Sequence, residues 1–382
     1  MVKVRKDYEL SDDLIRTWST FIPKESITEV TKILKSKWIN TGKKEKELRE
    51  KVCRKWGFPY CVAVTNGTAA LRASLAMIGV GFGDEVISTP YTFIATNTAI
   101  LEQGAIPVFA DVKYEDLNID PKSIEKKITK KTKAIIAVHY GGNPIDLDEI
   151  RAISKKYGVP LIEDAAHALG SMYKGKFIGQ TGEIVCFSLQ VVKIINSGDG
   201  GFIVTNSNRY YKKLKKIIWY GIDREGKKRN LLDPLPSNFK GDELGFKYNM
   251  NDITATLASV GVDHYEEAAA KRIAIGERYR NELASCHNIK LIKYYEDRKP
   301  NYQIFPIHVK NRVKFAKHLL KSNIMVNINN RRNDIYPMFG GLRSDLPVTA
   351  KVDQDVVLLP LHSDLTDRQV SLIIKTVKEA VI

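Results

Sequence analysis

The chain has 382 residues, which is enough for one large domain and a smaller one or for two domains of moderate size. Its residues are 43% apolar and 27% charged, which is ordinary for a globular protein with a sizeable core. The sequence shows no apolar run of about 18 residues, no apolar leader and no metal-ligand spacing among its four cysteines. We therefore expect a cytoplasmic protein with reduced thiols, no membrane span and no metal site. The formal charge of +16 comes from lysines scattered over every helix-like segment, so we expect no nucleic-acid partner. The positive charge can come from lysines on solvated helix faces alone, or it can serve to attract a phosphate-bearing substrate.

Short β-rich runs alternate with helix-like segments over residues 60–205, which predicts an α/β fold with a mainly parallel sheet. The predicted strands are residues 61–64, 85–88, 106–110, 134–138, 161–163, 184–187 and 202–205. Helices are expected to begin near Thr68, Thr92, Asp146 and Asn208.

The pattern changes after about Asn251. Apolar residues at helical spacing predict one long helix over residues 252–284. Strands are expected at residues 303–309, 324–328 and 356–359, followed by a last helix over residues 366–380 that Asp364 or Thr366 would cap. We predict a large domain with an N-terminal arm over residues 1–251 and a smaller α+β domain over residues 252–382.

One lysine lies in an unusually apolar setting. Lys193 has apolar residues on both sides within residues 185–195, and a glycine-rich turn at residues 197–201 follows. Burial lowers the pKa of an ammonium group, and Schiff-base chemistry requires a neutral amine in a dry pocket. The alternative is a lysine at a strand end whose ammonium reaches out to water.

Two carboxylates close the apolar strand that precedes His167. Asp164 stands at the carboxyl edge of the predicted sheet, where open α/β sheets bind ligands. A carboxylate there could bind a metal, a ribose or a pyridine nitrogen. The alternatives are a helix cap for Asp164 and a buried structural role for His167.

Two further turns lie at the same predicted edge. A strand, the Asn66-Gly67 turn and a helix start would leave free N–H groups at one point, which suits an anion. At the next strand–helix junction, Phe93 could stack on a flat heteroaromatic ring or pack in the core.

In this order, the phosphate turn, the stacking aromatic, the carboxylate and the lysine resemble the DegT/DnrJ family of sugar aminotransferases. The resemblance covers nearly the whole chain and includes residues 37–42, 219–225, 245–252 and 358–362. It implies the fold-type I architecture of pyridoxal-5′-phosphate (PLP) enzymes, with a large, mainly parallel seven-stranded sheet domain and a smaller C-terminal α+β domain.

The resemblance also implies residue roles. Lys193 looks like the lysine of the internal aldimine, Asp164 like the partner of the pyridine nitrogen, and His167 would lie against the cofactor; these are the implied catalytic residues. The implied cofactor contacts are Gly67, Thr68, Ala69, Phe93, Ser188 and Asn249, of which Asn249 would reach the phosphate of the neighbouring subunit in a homodimer with shared active sites. Substrate contacts are expected from Thr41, Tyr91, Arg224 and Arg331, with Lys227, Lys228, Arg229 and Arg332 as further donors to a diphosphate.

The implied activity is amino transfer, from L-glutamate to a keto-sugar carried on a nucleoside diphosphate, through a pyridoxamine form of the cofactor. Surface polysaccharide is the expected destination of the product. A sugar dehydratase of the same fold is the nearest alternative, but that branch has histidine in place of the lysine. A non-catalytic regulator is the other alternative. Leu189, Gln190 and Asp199 depart from the usual family residues, and the first two leave neighbouring substrate contacts open.

Overall fold

The structure is a computed structural model that describes residues 13–223, 241, 243–328 and 330–380. The helices are α1 (Glu25–Ser36), α2 (Lys43–Trp56), α3 (Gly67–Met77), α4 (Ala95–Leu101), α5 (Pro121–Lys127), α6 (Leu147–Tyr157), α7 (Asn208–Ile217), α8 (Asp252–Asp263), α9 (Tyr265–Leu283), α10 (Arg312–Leu320), α11 (Pro347–Asp355) and α12 (Asp367–Glu379). The strands are β1 (Tyr60–Val64), β2 (Glu85–Ser88), β3 (Ile106–Phe109), β4 (Thr132–Val138), β5 (Leu161–Asp164), β6 (Met172–Tyr173), β7 (Lys176–Phe177), β8 (Val185–Ser188), β9 (Gly201–Thr205), β10 (Ile289–Leu291), β11 (Arg298–Lys299), β12 (Phe305–Val309) and β13 (Val356–Leu359). Short 3₁₀ turns occupy Tyr140–Gly142, Asn333–Ile335 and Pro337–Phe339.

The large sheet confirms the predicted α/β fold. Within the described residues it has seven strands in the order β1-β9-β8-β5-β4-β2-β3. All neighbouring pairs from β8 to β3 are parallel, whereas β9 is antiparallel to both β1 and β8. The carboxyl ends of β1, β2, β5 and β8 therefore share one edge, which is where parallel sheets bind ligands.

A smaller antiparallel sheet, β10-β12-β13, lies in the C-terminal part. Its apolar face packs with the second half of α9 and with α10 and α12 into one buried cluster. Helix α8 and the first half of α9 pack instead into the cluster under the large sheet. The core to which α9 contributes thus changes between Ala269 and Ile275, within a single helix.

Several local expectations are corrected. The long helix predicted over residues 252–284 is divided at His264, whose backbone is not helical, because α8 packs on α1 and α2 while α9 continues to the small sheet. The strand expected at residues 324–328 is reduced to isolated bridges of Ile324 and Asn327. Helix α4 begins at Ala95, later than Thr92.

The last helix has the predicted cap. The Thr366 hydroxyl accepts a hydrogen bond from the backbone N–H of Gln369, and Oε1 of Gln369 accepts one from the backbone N–H of Thr366. Asp364 pairs with the Ser19 hydroxyl instead. None of the helices in the described ranges combines the length and the apolar character needed to cross a membrane.

Candidate active site

A cavity of about 750 Å³ opens at the carboxyl edge of the large sheet. Eight of the sequence-predicted residues line it: Gly67, Thr68, Ala69, Phe93, Asp164, His167, Ser188 and Lys193. They lie at or just after the carboxyl ends of β1, β2, β5 and β8, so the parallel strands bring them together from positions more than a hundred residues apart.

Lys193 lies in the turn between β8 and β9 and is half-buried against this cavity. Its backbone N–H donates to the Gln190 carbonyl at 2.8 Å, and the following Ile194 and Ile195 are buried. Desolvation lowers the pKa of the Lys193 amine to about 8; the Asp164 carboxylate opposes that shift and the Arg272 charge adds to it. The amine therefore loses its proton more readily than that of an exposed lysine.

Asp164 ends β5 and is 4% exposed. Its Oδ2 accepts a hydrogen bond of 2.8 Å from the Thr96 hydroxyl, and its Oδ1 accepts one of 3.1 Å from the Ala166 N–H. Burial raises the pKa of this carboxyl, while the two donors and the Lys193 charge act in the opposite direction. Thr96 was not predicted from the sequence, although its place on α4, four residues after Thr92, puts it at the same sheet edge.

His167 follows Asp164 and lies in the wall of the cavity. Its Nδ1 accepts a hydrogen bond of 3.3 Å from the Gly141 N–H, which assigns the ring proton to Nε2. Burial lowers the pKa of His167 well below its ordinary range, and the Lys193 charge adds to that effect. The side chain is therefore a neutral imidazole with one N–H left to donate.

The N-terminus of α3 faces the same cavity. Asn66 caps the helix by accepting the Ala69 N–H at 2.7 Å. The N–H groups of Gly67 and Thr68 find no acceptor among the residues that the structure describes. A Cβ atom at Gly67 would lie 3.0 Å from Ser188 Cβ, so glycine allows Ser188 to approach this helix end. Two N–H groups and a hydroxyl thus converge where an anion can bind.

Phe93 stands at the mouth of the cavity. Its side chain is 60% exposed, so it is not the core residue that its apolar character alone would allow. An exposed ring beside a cleft is available for stacking.

Four other predicted contacts lie elsewhere in this chain. Tyr91 is buried with its ring 5.2 Å from that of Tyr140 and does not line the cavity. Arg331 binds Asp353 at 3.0 Å, outside the cavity. Thr41 and Asn249 bond to each other and line a separate, smaller cavity of about 70 Å³.

The remaining cationic candidates divide into two groups. Arg224, Lys227, Lys228 and Arg229 lie outside the described residues. Arg332 is buried and held by both carboxylate oxygens of Asp334, at 2.7 and 2.5 Å. An arginine engaged in this way has its charge largely neutralised, so it contributes little to attracting a diphosphate.

Comparison with known proteins agrees with this geometry. The sequence profile of the DegT/DnrJ/EryC1/StrS aminotransferase family matches residues 21–378. The uncharacterized protein MJ1066 of Methanocaldococcus jannaschii is 35% identical over 370 residues, which are 94% of this chain and 96% of that protein.

Solved structures show the same fold. The sugar aminotransferase CalS13 from Micromonospora echinospora superposes with a TM-score of 0.91 at 29% identity, covering 96% of this chain and all of the other. The putative sugar aminotransferase Spr1654 from Streptococcus pneumoniae, in its PMP form, gives a TM-score of 0.88 at 28% identity over 96% of this chain and 97% of its own. The chain therefore belongs to the DegT/DnrJ/EryC1/StrS aminotransferase family and has the fold-type I architecture of its solved relatives.

Proposed function

We propose that this chain is a PLP-dependent aminotransferase that moves an amino group from L-glutamate to a keto-sugar carried on a nucleoside diphosphate. The observation that carries the proposal is the pairing, in one cavity, of a lysine whose pKa is lowered to about 8 with a buried carboxylate. When bound there, PLP would act as an electron sink for the carbon that gains or loses the amino group.

The described residues fit this cofactor. Lys193 would hold it covalently, and Asp164 would bind and stabilise the protonated pyridine nitrogen from a buried position. The Gly67 and Thr68 N–H groups and the Ser188 hydroxyl would hold the phosphate at the α3 terminus. Phe93 would stack on the ring, with His167 against it.

Lys193 has a second role in the proposal. Its amine, once released from the cofactor, would remove and return the proton that moves during amino transfer. A general base is most effective when its pKa lies near the working pH, and the lowered pKa of Lys193 meets that condition. His167 stays neutral, so it would orient the site by hydrogen bonding instead of carrying the proton.

The substrates are proposed from the relatives and from charge. CalS13 is a sugar aminotransferase, and an anionic nucleotide-linked sugar suits a chain with a net charge of +16. Arg224 stays a proposed diphosphate contact outside the described residues. A sugar dehydratase is disfavoured because residue 193 is lysine.

A homodimer with shared active sites is also part of the proposal. Asn249 does not line the cavity of its own chain, which is the placement expected of a residue that serves a neighbouring subunit. Large apolar side chains on and just after α1 are exposed, with Ile27 at 74%, Leu34 at 54% and Trp38 at 62%. Exposed apolar groups of this kind favour a protein–protein contact.

An absorbance experiment tests the proposal. The purified protein with added PLP should show the visible band of a cofactor–lysine Schiff base, and L-glutamate should convert it to the shorter-wavelength band of the aminated cofactor. Lys193→Ala should lose the lysine-linked band and the turnover. A wild-type protein that forms no such band would overturn the proposal, whereas a band that glutamate leaves unchanged would overturn the assignment of the donor alone.

A further inference from the structure

The turn that carries Lys193 is held from outside the large sheet. The carbonyl of Val192, the residue before the lysine, accepts a hydrogen bond of 2.9 Å from Nε2 of Gln303. Gln303 is 4% exposed and lines the same cavity. It belongs to the segment that leads into β12, so the lysine turn is tied to the C-terminal part of the chain.

A buried arginine holds Gln303 in turn. Arg272 of α9 is 2% exposed, and its Nη1 donates to the carbonyls of Gln303 at 3.1 Å and Leu361 at 3.3 Å. Within the described ranges no carboxylate forms an ion pair with Arg272. The charge of Asp364 acts on Arg272 from beyond ion-pair distance and only partly offsets its desolvation. Burying an arginine whose hydrogen-bond partners are carbonyls is costly, so this placement calls for a reason beyond packing.

The neighbouring asparagine binds the other side of the site. Asn301 Nδ2 donates to the carbonyls of His167 at 2.8 Å and Leu169 at 2.9 Å, while its Oδ1 accepts the Gln303 N–H at 3.0 Å. Between them Tyr302 is buried in a left-handed conformation with φ of 52°. Backbone strain of this kind persists only where the surroundings enforce it, and it concentrates at functional sites.

We propose that Arg272 and Gln303 are positioning residues for Lys193: α9 holds Arg272, Arg272 holds the Gln303 carbonyl, and the Gln303 amide holds the backbone next to the lysine. This inference rests on the proposed function, because it concerns the lysine that would carry the cofactor. It assigns both residues a task that acts through the backbone of the lysine turn.

The charge of Arg272 adds an electrostatic consequence. Among the described residues, the charged groups that act on the pKa of Lys193 are Asp164 from β5 and Arg272 from α9, and His167 from the turn after β5 lies in the wall of the same cavity. Asp164 favours the protonated amine, His167 is neutral, and Arg272 disfavours the protonated amine. Removing the arginine charge should therefore raise the pH at which Lys193 loses its proton.

The test compares variants in the full-length protein. The readout is the pH midpoint of Lys193 labelling by acetic anhydride, followed by mass spectrometry after removal of any cofactor. Arg272→Met should raise the midpoint by roughly half a pH unit or more, and Arg272→Lys, which keeps the charge, should leave it near the wild-type value. Arg278→Met is the matched control, since Arg278 lies on the same helix, is partly exposed and pairs with Glu282.

A second pair of variants tests the hydrogen bond itself. Gln303→Met keeps the size of the side chain but loses the donor to Val192, and it should speed PLP release from the loaded protein about fivefold. Gln303→His keeps an N–H donor at a similar reach and should restore slow release. If Arg272→Met fails to fold, the two Gln303 variants still test the positioning role.

The outcomes separate the two proposals. Folded Arg272→Met with an unchanged labelling midpoint, or Gln303→Met that releases PLP at the wild-type rate, would overturn the positioning role and leave the aminotransferase proposal intact. A wild-type protein that forms no Schiff base would overturn the aminotransferase proposal. In that case the labelling experiment still measures the effect of Arg272 on Lys193.

Discussion

At the scale of single residues, the surroundings of Lys193 disfavour the protonated form of its amine. Desolvation is the largest influence on its amine, and Asp164 only partly compensates for it. The folded protein therefore binds this proton less tightly than the unfolded chain does. That difference makes Lys193 a source of instability whenever it is protonated in the cofactor-free state.

The stability of the cofactor-free protein should depend on pH through Lys193. The pKa of Lys193 is about 8 in the folded chain, below its ordinary value of 10.5. The contribution of Lys193 to the free energy of unfolding is thus lowest below about pH 8. It rises with pH until the folded and the unfolded chain have both lost the proton. Cofactor-free Lys193→Met should consequently show a higher Tm than the wild type at neutral pH, with a difference that shrinks between pH 8 and 10.5.

Thermal unfolding over this pH range checks the prediction. Exposed Lys130 supplies the control, since Lys130→Met should follow the wild type at every pH. A Tm difference that stays constant between pH 8 and 10.5 would show that Lys193 is not desolvated as described.

At the scale of elements, α9 joins the two cores. Ala268 and Ala269 pack under the large sheet, while Tyr279 and Leu283 pack on the small one. Between them Gly276 lies against buried Tyr302, since a Cβ atom at this position would meet the Tyr302 ring at 2.4 Å. The close approach of helix and ring depends on the absence of a side chain.

Gly276→Ala should therefore destabilise the protein. Alanine favours a helix by about 1 kcal/mol over glycine, but forcing a methyl group into a filled core costs about 1–3 kcal/mol. We expect the packing cost to dominate, because Tyr302 is 2% exposed and packs in the buried cluster of the small sheet. Equilibrium urea unfolding measures the change in the free energy of unfolding.

The control for this substitution is Gly81→Ala. No atom lies within 4 Å of a Cβ built at Gly81, so the change should stay within about 0.5 kcal/mol. An increase in stability for Gly276→Ala would show that the contact with Tyr302 relaxes freely.

The elements also show what the sequence can predict. Strands such as β2 and β5 were found within a residue because their apolar runs are bounded by polar turns. The helix break at His264 was missed because no glycine or proline marks it and packing on different partners causes it. Arg272 and Gln303 were missed because they act through backbone carbonyls, which leave no pattern in the sequence.

At the scale of the whole molecule, the proposed two-domain division and the proposed dimer bear on the same site. The cavity belongs to the large sheet, yet Gln303 and Asn330 of the C-terminal part line it. Asn249 stands apart with Thr41 in the smaller cavity. A complete active site would therefore need both parts of one chain and one residue of a second chain.

Mixing two inactive variants tests the shared site. Lys193→Ala lacks the lysine and Asn249→Ala lacks the proposed contact to the partner. A heterodimer of the two has both residues in one of its two sites, so the purified heterodimer should show about half of the wild-type turnover and the unseparated random mixture about a quarter. Co-expression with two affinity tags and an assay of each purified species provide the measurement.

Each variant purified alone is the reference for this experiment. If Asn249 served the cavity of its own chain, no site in the heterodimer would contain both residues. Turnover no higher than that of the separate variants would then rule out the exchange of Asn249 between subunits.

The hydrogen bonds around Lys193 bear on how related enzymes can come to accept different substrates. Gln303 donates a hydrogen bond to the backbone carbonyl of Val192, and Asn301 donates one to that of His167. Every amino acid has the same backbone carbonyl. The Val192 side chain, which lines the cavity, can therefore be exchanged without loosening the backbone that carries the lysine. One scaffold could in this way acquire a wall shaped for another substrate while its reactive amine stays in the same place.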